Sequence, residues 1–411
     1  MTFRHLWNFS LWLYVVGVVG LIIRNNSYPW PIKRASDILF FISAVFAIPF
    51  IVKERHQLKK LKIVFWPILL LTGGVALATI LRIITGHPSS SEGILEAFRI
   101  FEVIMLFLLA GTFTLLEPKF LPRVLFAQLS TLAYSIIFLL PYSISLSMDR
   151  FQLFENWPSN VSYYLIVSLL FITTLIFTAW KEKKAMLVPS FGAATLLLCF
   201  LLWTQTRASW IGFFLATLIL LGFWIRNNWR AALLTVCSLV VAGIIGSLLL
   251  PSLTKGDVIH RLLPGIELSP EKTRTVVPST FPTPLFRLED PTRLTLWHIY
   301  SQRLMRQPWG QGVEYDPVNI GNGPQGPHNT LLEIMVLGGF FGLAGFIAIF
   351  YLAFKNLSSK LTDNPNQLYR FALLGSLVAL FVASLFDNLG TFRLLWVFLA
   401  LGVFFGKKGV V

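Results

Sequence analysis

Residues 321–341 read GNGPQGPHNTLLEIMVLGGFF. Here a polar, proline-rich, basic stretch, running from about 251 to 327, gives way to an apolar run that opens on His328-Asn329. Most of the remaining chain reads as membrane spans. A long external insertion that delivers a histidine to the mouth of a membrane helix suits a site at the membrane surface. A simple pore or anchor has no need of it.

Composition sets the solvent. Of 411 residues, 55% are hydrophobic and 13% charged, and mean hydropathy is +0.70; soluble domains carry about 25% charge. The expected fold is therefore an all-α, polytopic membrane protein. The net charge of +15 fits Lys and Arg in cytoplasmic loops beside anionic lipid headgroups. No nucleic-acid-binding motif is visible. Cys199 and Cys237 lie inside apolar runs and read as bystanders. The basic start and first apolar run lack a small-residue cleavage site, so the first span is expected to be retained.

A helix needs roughly 20 apolar residues to cross a bilayer. Twelve segments qualify, at about 7–24, 37–52, 62–84, 94–116, 121–141, 160–180, 187–204, 208–225, 231–251, 328–354, 368–387 and 391–406. Gln205-Thr206-Arg207 leaves room only for a tight hairpin. Lys53, Arg55, Lys59, Lys60 and Lys62 fall on one side, with Lys181, Lys183, Lys184, Arg226, Arg230, Lys355, Lys360, Lys407 and Lys408. The positive-inside rule makes that side cytoplasmic, with both termini on it and the long loop external. The loop with Arg24, Lys33 and Arg34 fits least well, whereas His87-Pro88-Ser89-Ser90-Ser91 carries no Lys or Arg. The chain then divides into residues 1–250 with nine spans, 251–327 as the external loop, and 328–411 with three spans.

Within that loop, residues 255–289 read as irregular surface. Asp290-Pro291 marks a helix start, a capping Asp followed by Pro in the first helical position. The helix should run to about Arg306, with Leu294, Trp297, Ser301 and Leu304 at helical spacing. It should be stopped by Pro308-Trp309-Gly310-Gln311-Gly312. It could lie on the outer leaflet as an amphipathic helix or pack on the bundle.

Three cationic or titratable groups are expected on the external face: Arg207 in the hairpin, Arg293 in the loop helix and His328 at the tenth span. Boundary arginines commonly snorkel or pair with acids. Arg207, however, has no acidic neighbour in sequence, and a guanidinium fork matches a phosphate bidentately. The helix dipole disfavours an imidazolium at His328, which would leave a ring nitrogen to accept a proton. Asp387 could pair with Arg393 or orient one of these groups. Glu96, Arg99 and Glu102 lie at three-residue spacing in the fourth span, where charge marks function unless the groups neutralise one another. Metal and nucleotide signatures are missing: no G-x-x-x-x-G-K-[ST], H-E-x-x-H, D-x-D or G-x-S-x-G. The six histidines show no metal spacing, and Glu314-Tyr315-Asp316 is the nearest approach to an acidic metal motif.

Several segments together resemble the O-antigen ligase family, bacterial inner-membrane glycosyltransferases of the GT-C class. They are Trp203-Thr204-Gln205-Thr206-Arg207-Ala208-Ser209, Arg293 with Trp297, the Pro308-x-Gly-x-Gly312 turn, His328-Asn329, Glu333 and Gly338-Gly339. The resemblance covers most of the chain in topology and about 40 residues in motif. It implies about 12 transmembrane helices and one long periplasmic loop containing short helices. It implies a polysaccharide donor on undecaprenyl diphosphate and a lipid A–core acceptor, joined at the periplasmic face without metal, nucleotide or other cofactor. Arg207, Arg293, His328 and Asp387 match the family's key positions, and Arg99, Arg303 and Asn329 are further candidates for substrate contact. Rival expectations are an O-antigen polymerase or another lipid-linked oligosaccharyltransferase, and a transporter or flippase. The last would show two similar halves about a cytoplasmic linker, which this sequence lacks.

Overall fold

The structure, a computed structural model, describes residues 3–20, 35–85, 91–145, 158–182, 184–204, 206–253, 291–313, 315–319, 324–359, 367–387, 389 and 392–406. The expectations for Arg24, Lys33, Arg34, residues 86–90, Lys183, Gln205, residues 254–290, Glu314, Lys360, Lys407 and Lys408 lie outside them.

The described residues are almost entirely helical. The helices are α1 (Phe3–Tyr14, extended by a π-helical turn, Val15–Gly20), α2 (Ala35–Lys53), α3 (Phe65–Ile84), α4 (Ser91–Leu116), α5 (Phe120–Ser145) and α6 (Pro158–Lys181). They continue with α7 (Leu187–Thr204), α8 (Arg207–Leu253), α9 (Pro291–Arg306), α10 (Thr330–Ser358), α11 (Gln367–Ser384) and α12 (Arg393–Phe404). A 3₁₀ segment, Gln57–Val64, joins α2 to α3. The two-residue strands β1 (Val318–Asn319) and β2 (Pro324–Gln325) pair antiparallel.

Every segment expected to span carries helix, with α8 supplying two of them. Among the described residues, seven helices are long and apolar enough to cross a membrane. One of the seven, Arg207–Leu249, is 43 residues long. At Asn228 its backbone leaves the helical region (φ −157°, ψ 96°), and the Asn228 side chain accepts from the Ala231 amide at 3.1 Å. That is an N-cap, so two helices meet there. The first arm packs on α11, with Gly212 against the Ala379 carbonyl and Gly375 against Leu220. The second lies against α6 and α7, where Trp180 Nε1 donates to Ser238 Oγ at 3.2 Å and Gly246 abuts Thr195 and Cys199.

α3 and α10 run antiparallel at backbone contact. A Cβ on Gly74 would stand 2.5 Å from the Gly338 carbonyl, and one on Gly345 would stand 2.4 Å from the Pro67 carbonyl. Small residues let apolar helices approach when lipid supplies no hydrophobic drive between them.

These pairings define the ends of the bundle. The N-terminus of α8 lies beside the C-terminus of α11, and the C-terminus of α3 beside the N-terminus of α10. Arg393, at the start of α12, pairs with Asp37 at the start of α2 and with Glu102 of α4. The opposite end holds the close of α2, the 3₁₀ segment, the start of α3 and the contact of Asn356 with the Gly402 and Phe405 carbonyls.

α9 packs on the bundle with only part of the expected face inward: Leu304 is buried and Trp297 half-buried. Leu294 is 48% exposed, and the buried stripe is Leu296, Tyr300 and Leu304, clustered with Val318 and Val336. The face turned because Tyr300 holds the β pair: its hydroxyl donates to the Gln325 carbonyl at 2.8 Å and accepts from the Val318 amide at 3.3 Å.

Candidate functional site

The site is assembled around the three residues that follow α11. A helix ends with carbonyls that have no partner within it. Here residues 385, 386 and 387 each give a carbonyl to a side chain from elsewhere. Asn329 Nδ2 donates to Leu385 O at 2.8 Å, Arg293 Nη1 to Phe386 O at 2.8 Å, and Thr330 Oγ1 to Asp387 O at 2.7 Å. The Thr330 hydroxyl also accepts from the Leu389 amide at 2.6 Å. The Asp387 carboxylate is held separately, by the Tyr163 hydroxyl donating to Oδ2 at 2.6 Å. The negative end of the α11 dipole favours the Arg293 guanidinium here.

His328 precedes this cluster directly. Its φ is +46°, a left-handed conformation that costs a non-glycine residue about 1–3 kcal/mol. Both neighbours are tied down. Trp297 Nε1 donates to the Pro327 carbonyl at 2.9 Å. Asn329, the N-cap of α10, accepts from the Leu332 amide at 3.1 Å. The half-buried His328 thus sits just before the helix, in a backbone conformation that its surroundings impose.

Arg207 opens α8 and is exposed. The hairpin before it is as tight as the sequence requires: α7 closes at Thr204, and the Ser209 amide donates to the Thr206 carbonyl at 3.1 Å. The Ser209 hydroxyl meets that of Ser162, the neighbour of Tyr163. A short path of contacts therefore runs from the Arg207 turn through Ser209, Ser162 and Tyr163 to Asp387, and from there to Thr330 and Arg293. Arg207, Arg293, His328 and Asp387 all lie at one end of the bundle.

Another candidate, Arg303, is committed locally. Arg303 Nη1 donates to the Asp316 carbonyl at 2.5 Å, and its guanidinium lies 5.5 Å from the centre of the Tyr300 ring. Arg99 is exposed on α4, three residues before Glu102. Arg393 pairs with Asp37 and Glu102, and the Asp387 carboxylate accepts from Tyr163.

Burial holds the Tyr300 phenol above its ordinary 10.0, with Asp316 adding to the rise and the Val318 amide and Arg303 opposing it. The phenol remains a donor to the loop. Asp316 also pairs with Arg82 at 3.1 Å. Among the described residues, no group of three or more His, Cys, Asp and Glu could hold a metal ion.

A backbone splice supports the cluster from below. α10 breaks at Gly339 (φ +62°), and the turn after α9 fills the break: the Phe340 amide donates to the Pro308 carbonyl at 3.1 Å, and the Gln311 amide to the Val336 carbonyl at 2.6 Å. A Cβ on Gly339 would lie 2.3 Å from the Trp309 carbonyl carbon. Irregular backbone at such depth is tolerated when protein encloses it.

Tyr163 and Thr330 are the functional candidates that sequence reasoning missed. A tyrosine near the start of a span is common at membrane interfaces, so Tyr163 carried no signal. Thr330 was visible only as the residue after His328-Asn329.

No curated protein matches the chain. Residues 192–347 match the family model described as O-Antigen ligase. Asp387 lies beyond the matched stretch, which holds Arg207, Arg293, His328 and the α9–α10 splice. Over residues 192–347, the chain is therefore similar to the O-antigen ligase family.

Proposed function

We propose that this bacterial membrane protein is an O-antigen ligase, moving polysaccharide from undecaprenyl diphosphate to a sugar hydroxyl of lipid A–core. The carrying observation is the cluster at residues 385–387, which gathers Arg293, Asn329, Asp387 and Tyr163 beside His328 at the end of the bundle that also holds Arg207. The reading puts this end at the periplasmic face of the inner membrane, with about twelve spans.

The acceptor hydroxyl oxygen attacks the anomeric carbon of the donor. The bond from that carbon to the diphosphate oxygen breaks, and its electron pair leaves with the lipid diphosphate. Arg207 and Arg293 grip the departing phosphates bidentately and offset the charge that grows on them. His328 takes the proton of the acceptor hydroxyl. Asp387, held by Tyr163 and Thr330, positions the turn whose Phe386 carbonyl aims Arg293. Direct displacement inverts the anomeric centre. The diphosphate is already an activated leaving group, so no nucleotide is needed; the two guanidinium groups offset its charge in place of a metal, and catalysis rests on positioning two lipid substrates.

The test is transfer by the purified protein from lipid-linked polysaccharide to rough lipopolysaccharide, without added metal or nucleotide. Lipid A–core bearing polymer is the expected product. Longer lipid-linked polymer, with the core left bare, would instead identify a polymerase.

A further inference from the structure

A second candidate site lies at the other end of the molecule. Between the close of α2, the 3₁₀ segment, the first turns of α3 and Leu108 of α4 is a cavity of about 770 Å³. Ligand sites commonly enclose about 300–1,000 Å³. Its walls are apolar, and among the described residues the charged ones lining it are Arg55, Lys59 and Lys62.

The geometry follows from the 3₁₀ repeat. With three residues per turn, side chains at i and i+3 eclipse. Leu58, Leu61 and Val64 form one column, turned to the core: Val64 is buried, and Leu58 and Leu61 pack against it. Lys59 and Lys62 form the next column, continued by Phe65. Two ammonium groups are thereby stacked over an apolar slot, and Arg55 reaches the same mouth. All three cations are exposed. Glu54, the acidic residue beside them, accepts from the Gln57 amide nitrogen at 3.0 Å. The slot opens toward the lipid side past Val52, Phe65 and Leu69, which are 64%, 58% and 44% exposed.

We infer that this site binds a membrane phospholipid with an anionic headgroup, its acyl chain in the slot and its phosphate on Arg55, Lys59 and Lys62. Charge complementarity selects the headgroup, and the apolar walls select a lipid over a free anion. Basic pockets between membrane helices are suited to such headgroups, each Lys or Arg contributing about 1 kcal/mol near the surface. The site stands apart from His328 and the 385–387 turn, at the opposite end of α3.

The test titrates delipidated, detergent-purified full-length protein with dioleoylphosphatidylglycerol, dioleoylphosphatidylcholine or inorganic phosphate, counting bound lipid by native mass spectrometry. Phosphatidylglycerol should bind the wild type in preference to phosphatidylcholine. Arg55→Ser/Lys59→Ser/Lys62→Ser should weaken it roughly a hundredfold. Arg226→Ser/Arg230→Ser, which removes charge at the α8 kink, should leave that binding unchanged. Thr72→Trp, which fills the slot and keeps every charge, should also lose the bound lipid. Equal binding of the two lipids would overturn the site, as would a triple variant that keeps wild-type affinity. Displacement of the lipid by equimolar phosphate, with Thr72→Trp behaving as wild type, would overturn the lipid assignment in favour of a free anion.

Discussion

Tyr163 and Thr330 fix Asp387 from two directions, one through the carboxylate and one through the main chain. Tyr163→Phe removes a hydrogen bond to a charged group, a type worth about 1.5–3 kcal/mol. The expected result is a fall in kcat/KM on the order of tenfold or more, at unchanged protein level; undiminished transfer would remove Tyr163 from the site. His328 offers a sharper dissociation. Glycine tolerates φ of +46° without a steric cost, so His328→Gly should melt in detergent no lower than wild type while losing transfer. A histidine retained for packing alone would give a variant that melts lower yet still transfers. The candidate arginines, histidine and aspartate were legible because each is an unusual residue at a span boundary. Their hydrogen-bond partners were not, since Tyr163 and Thr330 are ordinary residues at helix starts and act through contacts between distant segments.

α9 and α10 show how much an element's neighbours decide. The helix start at Pro291, its end at Arg306 and the stop at Pro308–Gly312 follow from local chemistry and are present. The buried face was read only in part: Leu304 is buried as expected, Leu294 is not. Tyr300 pairs with a loop carbonyl and amide that helical periodicity cannot see, and this draws Leu296 inward and leaves Leu294 exposed. The splice at Gly339 was equally hidden, because a Gly-Gly pair in a span usually signals close helix packing. It predicts that Gly339→Ala, strained by its φ and by collision with Trp309, lowers the melting temperature and cuts transfer, although it touches no substrate. A change at a freely accommodating glycine, Gly73→Ala, should do neither, since nothing lies within 4 Å of a Cβ there.

The whole molecule places the candidate cluster and the basic 3₁₀ segment at opposite ends of one helical bundle. Hydropathy found the helical segments, and α8 shows why counting them is harder: a capped kink at Asn228 joins two spans that the sequence separates only by a short polar break. The Arg393 cluster with Asp37 and Glu102 ties α12, α2 and α4 together at the same end of the bundle. The three side chains are only partly exposed, so water screens them less than a surface pair, and Arg393→Ala should lower thermal stability. Stability equal to the wild type would show the cluster to be incidental. The proposed sidedness is tested on the same layout. In cells with a permeabilised outer membrane, cysteines introduced at Met305 and Thr206 should react with an impermeant maleimide, and those at Lys62 and Arg226 should not. The most direct measurement is single-turnover transfer by purified wild type, Arg207→Lys, Arg293→Lys and His328→Ala, with lipid-diphosphate donor, rough lipopolysaccharide and a metal chelator. The wild type should form capped lipid A–core, while each lysine variant should fall on the order of a hundredfold or more and His328→Ala should lose turnover. Wild-type rates in the lysine variants, or a wild-type reaction abolished by the chelator, would contradict a diphosphate held by two guanidinium groups.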